Sequence, residues 1–245
     1  MDKKKVISWT LYDWANSAFA TTVMAGFFPI FFERYWSDPD MIDESTFYLG
    51  LSNSIGALIV AALAPFLGAI SDKISLKKKF LFFFAFLGIL STSLLWFVEQ
   101  GEWELAAFLY VLGCIGFASG NVFYDSLLPS VAKKKELDFV SSLGYGLGYI
   151  GGGILFAVNV FMYQKPEWFG IEDSTTAIRL SFVSVSIWWA IFSVPIFIFL
   201  PEKKGGKYDS ILTATLIGWS QLKSTFRQIK KMKIMMTFLL AYWLY

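Results

Sequence analysis

Apolar residues occur in long runs along the chain, and short polar or charged segments separate these runs. A helix needs about 20 mainly apolar residues to cross the hydrocarbon core of a bilayer, and each run approaches or exceeds that length. The runs lack the alternating polarity that is typical of membrane β-barrel strands. The pattern therefore predicts an all-α polytopic membrane protein with six spanning helices, near residues 9–32, 47–70, 80–98, 104–128, 140–163 and 177–200.

The chain changes character after Pro201. The next stretch is basic and weakly amphipathic, which favours a linker on the cytoplasmic surface of the membrane. The last residues are apolar but too few to span a bilayer. We therefore expect a six-helix bundle over 1–200, a linker over 201–233, and the truncated start of a seventh helix over 234–245. On this interpretation the chain is one half of a larger protein, and a C-terminal six-helix half is missing.

Basic residues sort to one side of the six predicted helices. Eighteen of the 21 lysines and arginines precede the first helix, follow the sixth, or lie in the second–third and fourth–fifth connections. Because cytoplasmic segments carry an excess of Lys and Arg, we expect a cytoplasmic N-terminus and a location in the cytoplasmic (inner) membrane. This topology explains the basic clusters, so we expect no nucleic-acid partner.

The composition narrows the chemistry of the chain. It contains no histidine and a single cysteine, Cys114. These 245 residues therefore cannot use histidine for catalysis or as a metal ligand, and they cannot form a metal site from several cysteines. We expect a protein that is not an enzyme and that holds no metal and no cofactor.

Two polar triplets interrupt the apolar runs. Both have the spacing i, i+3 and i+4: Asp13, Asn16 and Ser17 in the first helix, and Asn121, Tyr124 and Asp125 in the fourth. This spacing places each triplet on a single helix face. An Asp at the centre of a membrane helix costs about 2.5–3.5 kcal/mol on insertion scales. One interpretation is that the carboxylates line a polar cavity as ligands of a substrate or coupling ion. The other is that they reach the interface or cap helix ends.

Two further segments are candidates for helix packing and gating. In the fifth helix, glycine recurs every fourth residue, which lets helices pack backbone to backbone either statically or as a sliding surface. The residues at the end of the second helix have two interpretations. They belong either to an ordinary basic connection or to a gate on the cytoplasmic side. The residues concerned are Gly144, Gly148 and Gly152 in the fifth helix, and Gly68, Asp72 and Lys73 at the end of the second.

Three stretches of the chain carry a resemblance to a known family. Residues 12–19 (YDWANSAF), 123–129 (FYDSLLP) and 144–152 (GYGLGYIGG) resemble the UMF1/Atg22-like branch of the major facilitator superfamily. The loop after the second helix is similar to the superfamily's cytoplasmic motif, although Ser75 and Leu76 stand where Gly and Arg are usual. The resemblance implies the N-terminal half of a major-facilitator fold, built as a 3+3 inverted repeat.

The same resemblance implies a function. It indicates a secondary transporter that moves a small solute, amino acids among the candidates, by alternating access, with a proton as the coupling ion. Its partners would be the lipid bilayer, a small-molecule substrate and the missing half. The two triplets would then serve substrate or ion binding. The alternatives are a drug or sugar efflux facilitator, and a non-transporting assembly or sensor protein built on half a transporter.

Overall fold

In the part of the chain that the computed structural model describes, six helices are long and apolar enough to cross a membrane. Residues 2–38, 42–73 and 76–201 are described, with positions 220, 224, 227, 232, 235–238 and 241 beyond them, and side chains 42, 43, 65 and 69–73 are not. No strand occurs in this part of the chain. The prediction of an all-α membrane protein is confirmed. The helices are α1 (Lys3–Trp36), α2 (Ile42–Lys73), α3 (Lys77–Leu94), α4 (Trp103–Val131), α5 (Leu137–Gln164) and α6 (Ser174–Phe199).

The predicted linker over 201–233 and the predicted seventh helix over 234–245 fall almost wholly outside the described residues. Both stay predictions, as does the division of the chain at residue 200. Short 3₁₀ turns extend α3 over Leu95–Phe97 and connect α5 to α6 over Pro166–Phe169.

Side-chain caps fix the beginnings of two helices. Asp2 accepts hydrogen bonds from the backbone N–H groups of Lys4 and Lys5 at 3.2 and 3.4 Å, so α1 begins well before the apolar run. The Lys5 side chain also bonds the Asp2 carboxylate and lowers its pKa below the usual range. Asp173 caps α6 in the same way, by accepting from the N–H of Thr176 at 2.7 Å.

Helix α1 is not α-helical throughout. Its α-helical stretches, Lys3–Ala18 and Phe28–Phe31, alternate with π-helical stretches, Phe19–Phe27 and Phe32–Trp36. A π turn bonds residue i to i+5, so a side chain returns to the same face after about four to five residues. Buried apolar residues follow that interval, at Phe19, Val23, Phe28, Phe32 and Trp36. The π turns thus keep one aromatic face directed into the bundle.

The helix contacts repeat between the two halves of the bundle. Helix α1 packs on α5 and α6, α4 packs on α2 and α3, and α3 packs on α6. Exchanging the first three helices with the last three converts the α1 contacts into the α4 contacts and leaves the α3–α6 contact unchanged. An inverted 3+3 repeat produces this pattern.

Large apolar side chains cover the outer surfaces of α3 and α6. A soluble domain rarely exposes such wide apolar faces, whereas a bilayer requires them. The exposed residues are Phe82, Phe83 and Phe86 on α3, and Ile187, Ile191, Val194 and Ile198 on α6.

Glycines of α5 allow its close approach to α1. A methyl group on Gly152 would lie 2.8 Å from the carbonyl oxygen of Ser17, and one on Gly144 would lie 2.6 Å from the Trp9 ring. Thr21 adds a polar contact, since its hydroxyl lies 3.1 Å from the carbonyl oxygen of Gly152. The two backbones therefore pass each other at a distance that a larger residue would prevent.

The first two lysines of α3 bind backbone carbonyl groups of other helices. Lys77 Nζ donates to the carbonyl oxygen of Ser126 at 3.0 Å. Lys78 Nζ donates to the carbonyl oxygens of Phe197 and Leu200 at 2.6 and 2.7 Å. Phe197 and Leu200 stand at the end of α6, where the last carbonyls lack partners within the helix and a cation also complements the helix dipole. These lysines therefore tie α3 to α4 and to the end of α6.

The glycine contact predicts a difference between two adjacent substitutions. Gly152→Ala places its methyl group against the Ser17 backbone, whereas Gly153→Ala meets no atom within 4 Å. We expect Gly152→Ala to lower the free energy of unfolding by about 1–3 kcal/mol, the usual cost of overpacking. Gly153→Ala should be neutral or stabilising because alanine favours a helix. Thermal unfolding in detergent measures both, and equal losses of stability would contradict the close crossing.

The lysine contacts predict a second matched pair. Lys78→Met leaves two carbonyl oxygens without their charged donor, which should cost about 1–3 kcal/mol of unfolding free energy. Lys79→Met removes the same charge from an exposed side chain with no contact of this kind in the described residues, and should be nearly neutral. Thermal unfolding again separates them. Equal stability of the two variants would show that the capping bonds contribute little.

Candidate functional site

The two polar triplets lie against each other in the bundle. Asn16 Nδ2 donates to Asn121 Oδ1 at 2.6 Å, which joins the centre of the α1 triplet to the α4 triplet. Trp9 Nε1 donates to the carbonyl oxygen of Tyr124 at 3.1 Å, about two turns closer to the start of α1. Sequence spacing places each triplet on one face, and the fold turns these two faces towards each other.

Stacked aromatic rings hold Tyr124 in place. Its ring lies 4.3 Å from the Trp9 ring and 5.1 Å from the Tyr12 ring, measured between centroids. Tyr12 and Tyr124 are 0% and 4% exposed, and neither hydroxyl has a hydrogen-bond partner among the described residues. Buried hydroxyl groups without partners are uncommon in native proteins, so this region has unused hydrogen-bonding capacity.

Asp13 lies in the crossing between α1 and α5. Its Oδ1 accepts a hydrogen bond from Ser17 Oγ at 3.3 Å. A methyl group on Gly148 would lie 2.9 Å from the same oxygen and 2.7 Å from Ser17 Oγ. The absence of a side chain at Gly148 therefore makes room for the carboxylate between the helices.

A cavity of about 500 Å³ lies between α1, α4 and α5. Small-molecule sites in proteins have volumes of about 300–1,000 Å³. Its lining combines carboxylates, hydroxyls, an amide and aromatic rings. The lining residues are Asp13, Ser17, Ala20, Thr21 and Ala25 from α1, Phe117, Asn121, Tyr124 and Asp125 from α4, and Tyr145 and Tyr149 from α5.

The charge of this cavity is one-sided. Two carboxylates, Asp13 and Asp125, line it without any lysine or arginine. Neither carboxylate forms an ion pair within the described residues. Helix α1 begins at Lys3 and α4 ends at Val131, so neither aspartate caps a helix end. Carboxylates inside a membrane protein require compensation by a proton, a cation or a partner group, and the described residues supply no cation.

The structure places five of the six triplet residues on the cavity. Asn16 is 1% exposed and instead supports the cavity wall through its bond to Asn121. The glycines Gly144, Gly148 and Gly152 face α1 rather than the cavity. A methyl group on Gly68 would meet no atom of the described residues within 4 Å, and the side chains of Asp72 and Lys73 lie outside them. The gating role of these last three stays a prediction.

Sequence reasoning missed six of the lining residues: the two small alanines Ala20 and Ala25, and four larger residues. The larger four are Thr21, Phe117, Tyr145 and Tyr149. The two tyrosines each follow a glycine of the predicted packing set, at a spacing of four residues. Because glycines at this spacing mark the α5 face that contacts α1, residues beside that face border the same crossing. The sequence thus held a usable signal for the tyrosines.

Two other features of the described residues bear on ligands. No group of three or more His, Cys, Asp or Glu side chains there could hold a metal ion. A second cavity of about 470 Å³ lies where the α1–α2 and α3–α4 connections meet, lined by residues including Ser37, Asp38, Glu44 and Trp103. None of the residues predicted from sequence lines this cavity.

Comparison with known proteins places the chain in a family. Residues 40–245 match the family model described as "Vacuole effluxer Atg22 like". An uncharacterized MFS-type transporter of Bacillus subtilis, YxiO, is 35% identical over 245 residues, covering 99% of this chain and 56% of that protein. Autophagy-related protein 22 of Vanderwaltozyma polyspora is 20% identical, covering 99% of this chain and 57% of its own length. No solved structure gives a significant match.

The chain therefore spans about half the length of these curated relatives. The family match covers most of the chain, and the more similar of these two relatives aligns over nearly all of it. The resemblance seen in the sequence is confirmed, and the six helices described above form the N-terminal half of a major-facilitator fold. The chain belongs to the Atg22-like family of the major facilitator superfamily.

Proposed function

We propose that the complete protein is a secondary active transporter, and not an enzyme, that moves a small solute across the cytoplasmic membrane by alternating access. The observation that carries this proposal is the cavity between α1, α4 and α5, which is polar within an otherwise apolar bundle. Amino acids are the solutes we would test before others. The name "vacuole effluxer" belongs to the family model and supports transport of some solute by this chain.

A second six-helix half would complete the cavity. In the described half, Tyr145 and Tyr149 are 64% and 62% exposed although they line it, so one side of the cavity is open. Alternating access requires two halves that rock about a shared site near the middle of the membrane. The relatives are about twice as long as this chain, which supports a protein with such a second half.

We assign the coupling role to the α1 triplet. Asp13 is half-buried between α1 and α5, where its charge has no cationic partner among the described residues. Binding and release of a proton there would change the charge of the cavity wall itself. Asn16, Ser17 and Asn121 hold the surrounding hydrogen bonds. The coupling ion, a proton, is the one that the family resemblance implies.

Replacing the coupling carboxylate tests the proposal. Asp13→Asn in the full-length protein keeps the size and the Ser17 contact but removes the titratable group. We expect solute flux driven by a pH gradient in proteoliposomes to fall at least about tenfold, which corresponds to about 1.4 kcal/mol. Asp138→Asn is the matched control, because Asp138 is exposed in the first turn of α5 and does not line the cavity. Gradient-driven flux that survives Asp13→Asn unchanged would refute the assignment.

The positive charges also predict an orientation. We propose that the N-terminus and the α4–α5 connection are cytoplasmic. Single cysteines can be placed at Lys134 and Glu172, both exposed, in the full-length protein after Cys114 and any other cysteine have been replaced. A membrane-impermeant maleimide should label Glu172→Cys in intact cells and Lys134→Cys only after lysis. The reverse labelling pattern would invert the topology.

A further inference from the structure

We propose that the cavity between α1, α4 and α5 binds the positively charged amine group of the transported solute. Asp125 is its charged ligand, and Tyr145 and Tyr149 form the aromatic wall around it. This inference rests on the proposed transport function and adds the chemical class of the solute. It also assigns different roles to Asp13 and Asp125, for which the sequence analysis gives a single shared role.

The charge of the cavity favours a cationic ligand. Asp13 and Asp125 are its only charged lining residues in the described chain. Lys77 approaches the same end of α4 but donates to the carbonyl oxygen of Ser126 at 3.0 Å and forms no ion pair with Asp125 there. A neutral or anionic group bound at this wall would leave the carboxylates uncompensated, whereas an ammonium group would supply the missing charge.

The surroundings of the two carboxylates differ. Asp13 is half-buried, accepts a hydrogen bond from Ser17 at 3.3 Å and is enclosed by the α5 backbone at Gly148. Asp125 is exposed on the cavity side of α4 and makes no hydrogen bond or ion pair within the described residues. A ligand therefore reaches Asp125 directly, while Asp13, which is more enclosed, is better placed to exchange a proton.

Two aromatic residues of the same lining complete an amine site. The rings of Tyr145 and Tyr149 lie 4.8 Å apart in an edge-on arrangement, and their hydroxyl oxygens are 3.0 Å apart. Tyrosine faces attract ammonium groups through the ring quadrupole, most strongly when water is excluded. Both rings are largely exposed in this half, so a cation can approach their faces.

A buried hydroxyl in the same wall indicates an unfilled polar contact. Tyr124 lines the cavity and is 4% exposed, yet its hydroxyl has no hydrogen-bond partner among the described residues. Such a group is satisfied when a ligand with a donor or acceptor occupies the adjacent space. The unfilled contact supports a polar ligand in the same cavity.

Three compounds of similar size but different charge test the inference. Phenethylamine is cationic, 2-phenylethanol is neutral and phenylacetate is anionic. Calorimetric titration of the purified full-length protein in detergent should show phenethylamine binding at least about tenfold more tightly than the other two. Asp125→Asn should remove this preference. Replacing Tyr145 and Tyr149 together by Leu should weaken amine binding roughly three- to thirty-fold, while replacing both by Phe should preserve most of it.

Two controls separate this site from the coupling site and from general electrostatics. Asp13→Asn should retain the preference for the amine while losing flux driven by the pH gradient. Asp138→Asn removes a charge outside the cavity and should change neither. Loss of amine preference in Asp13→Asn with its retention in Asp125→Asn would reverse the assigned roles and overturn the inference.

Other outcomes also decide the question. Equal binding of the three compounds, or tighter binding of phenylacetate, would overturn the amine site. Sodium binding that depends on Asp125 and competes with no amine would assign the carboxylate to a metal cation instead, with the same consequence. If no compound binds but gradient-driven flux of another solute persists, the amine site fails and the transport function stands. Amine binding without flux of any solute would support the amine site and count against transport.

Discussion

The close crossing of α1 and α5 is the contact on which the arrangement of the cavity depends. At Gly148 and Gly152 the α5 backbone reaches the Asp13 and Ser17 region directly. In lipid, apolar side chains gain little from burial against each other, so close backbone packing stabilises helix pairs. The same crossing encloses one carboxylate and places the adjacent α5 tyrosines at the cavity. Helix packing and site geometry are therefore set by the same few residues.

Aromatic contacts stabilise the end of α1 that lies far from the polar triplet. Its π turns keep Phe28 stacked on Tyr110 at 4.0 Å and Trp36 stacked on Phe182 at 5.8 Å. Aromatic pairs of this kind contribute about 0.5–1.5 kcal/mol each beyond the area they bury. Because these contacts anchor the far end of α1 to α4 and α6, the polar triplet near its beginning occupies a defined position. The aromatic face and the polar face of α1 thus serve different ends of the same helix.

The sequence predicts the parts of this protein that depend on simple periodicities. Hydrophobic length identifies the helices, and the spacing of Asp13, Asn16 and Ser17 places them on one face, because both follow from regular helix geometry. The π turns at Phe19–Phe27 could not be predicted in this way, because the periodicity argument assumes a constant number of residues per turn. The hydrogen bond between Asn16 and Asn121 could not be predicted either, because it depends on the rotation of α1 and α4 about their own axes in the bundle. For Tyr145 and Tyr149, the sequence shows that they lie beside the glycine face of α5. Only the packing of α5 on α1 shows that they line the cavity.

Two carboxylates in one cavity provide a physical basis for coupling. Each anion requires compensation in a membrane interior, and like charges that share a cavity also repel each other. Compensation of one carboxylate therefore changes the free energy of leaving the other charged. Any such effect is reciprocal, so a ligand at one position and an ion at the other must influence each other's binding equally. Under the proposed roles, the more enclosed position of Asp13 and the exposed position of Asp125 would give ion and solute different access routes within one cavity. A cavity with a single aspartate could still compensate a cation, but it would lack the electrostatic interaction that the proposed link between solute and ion requires.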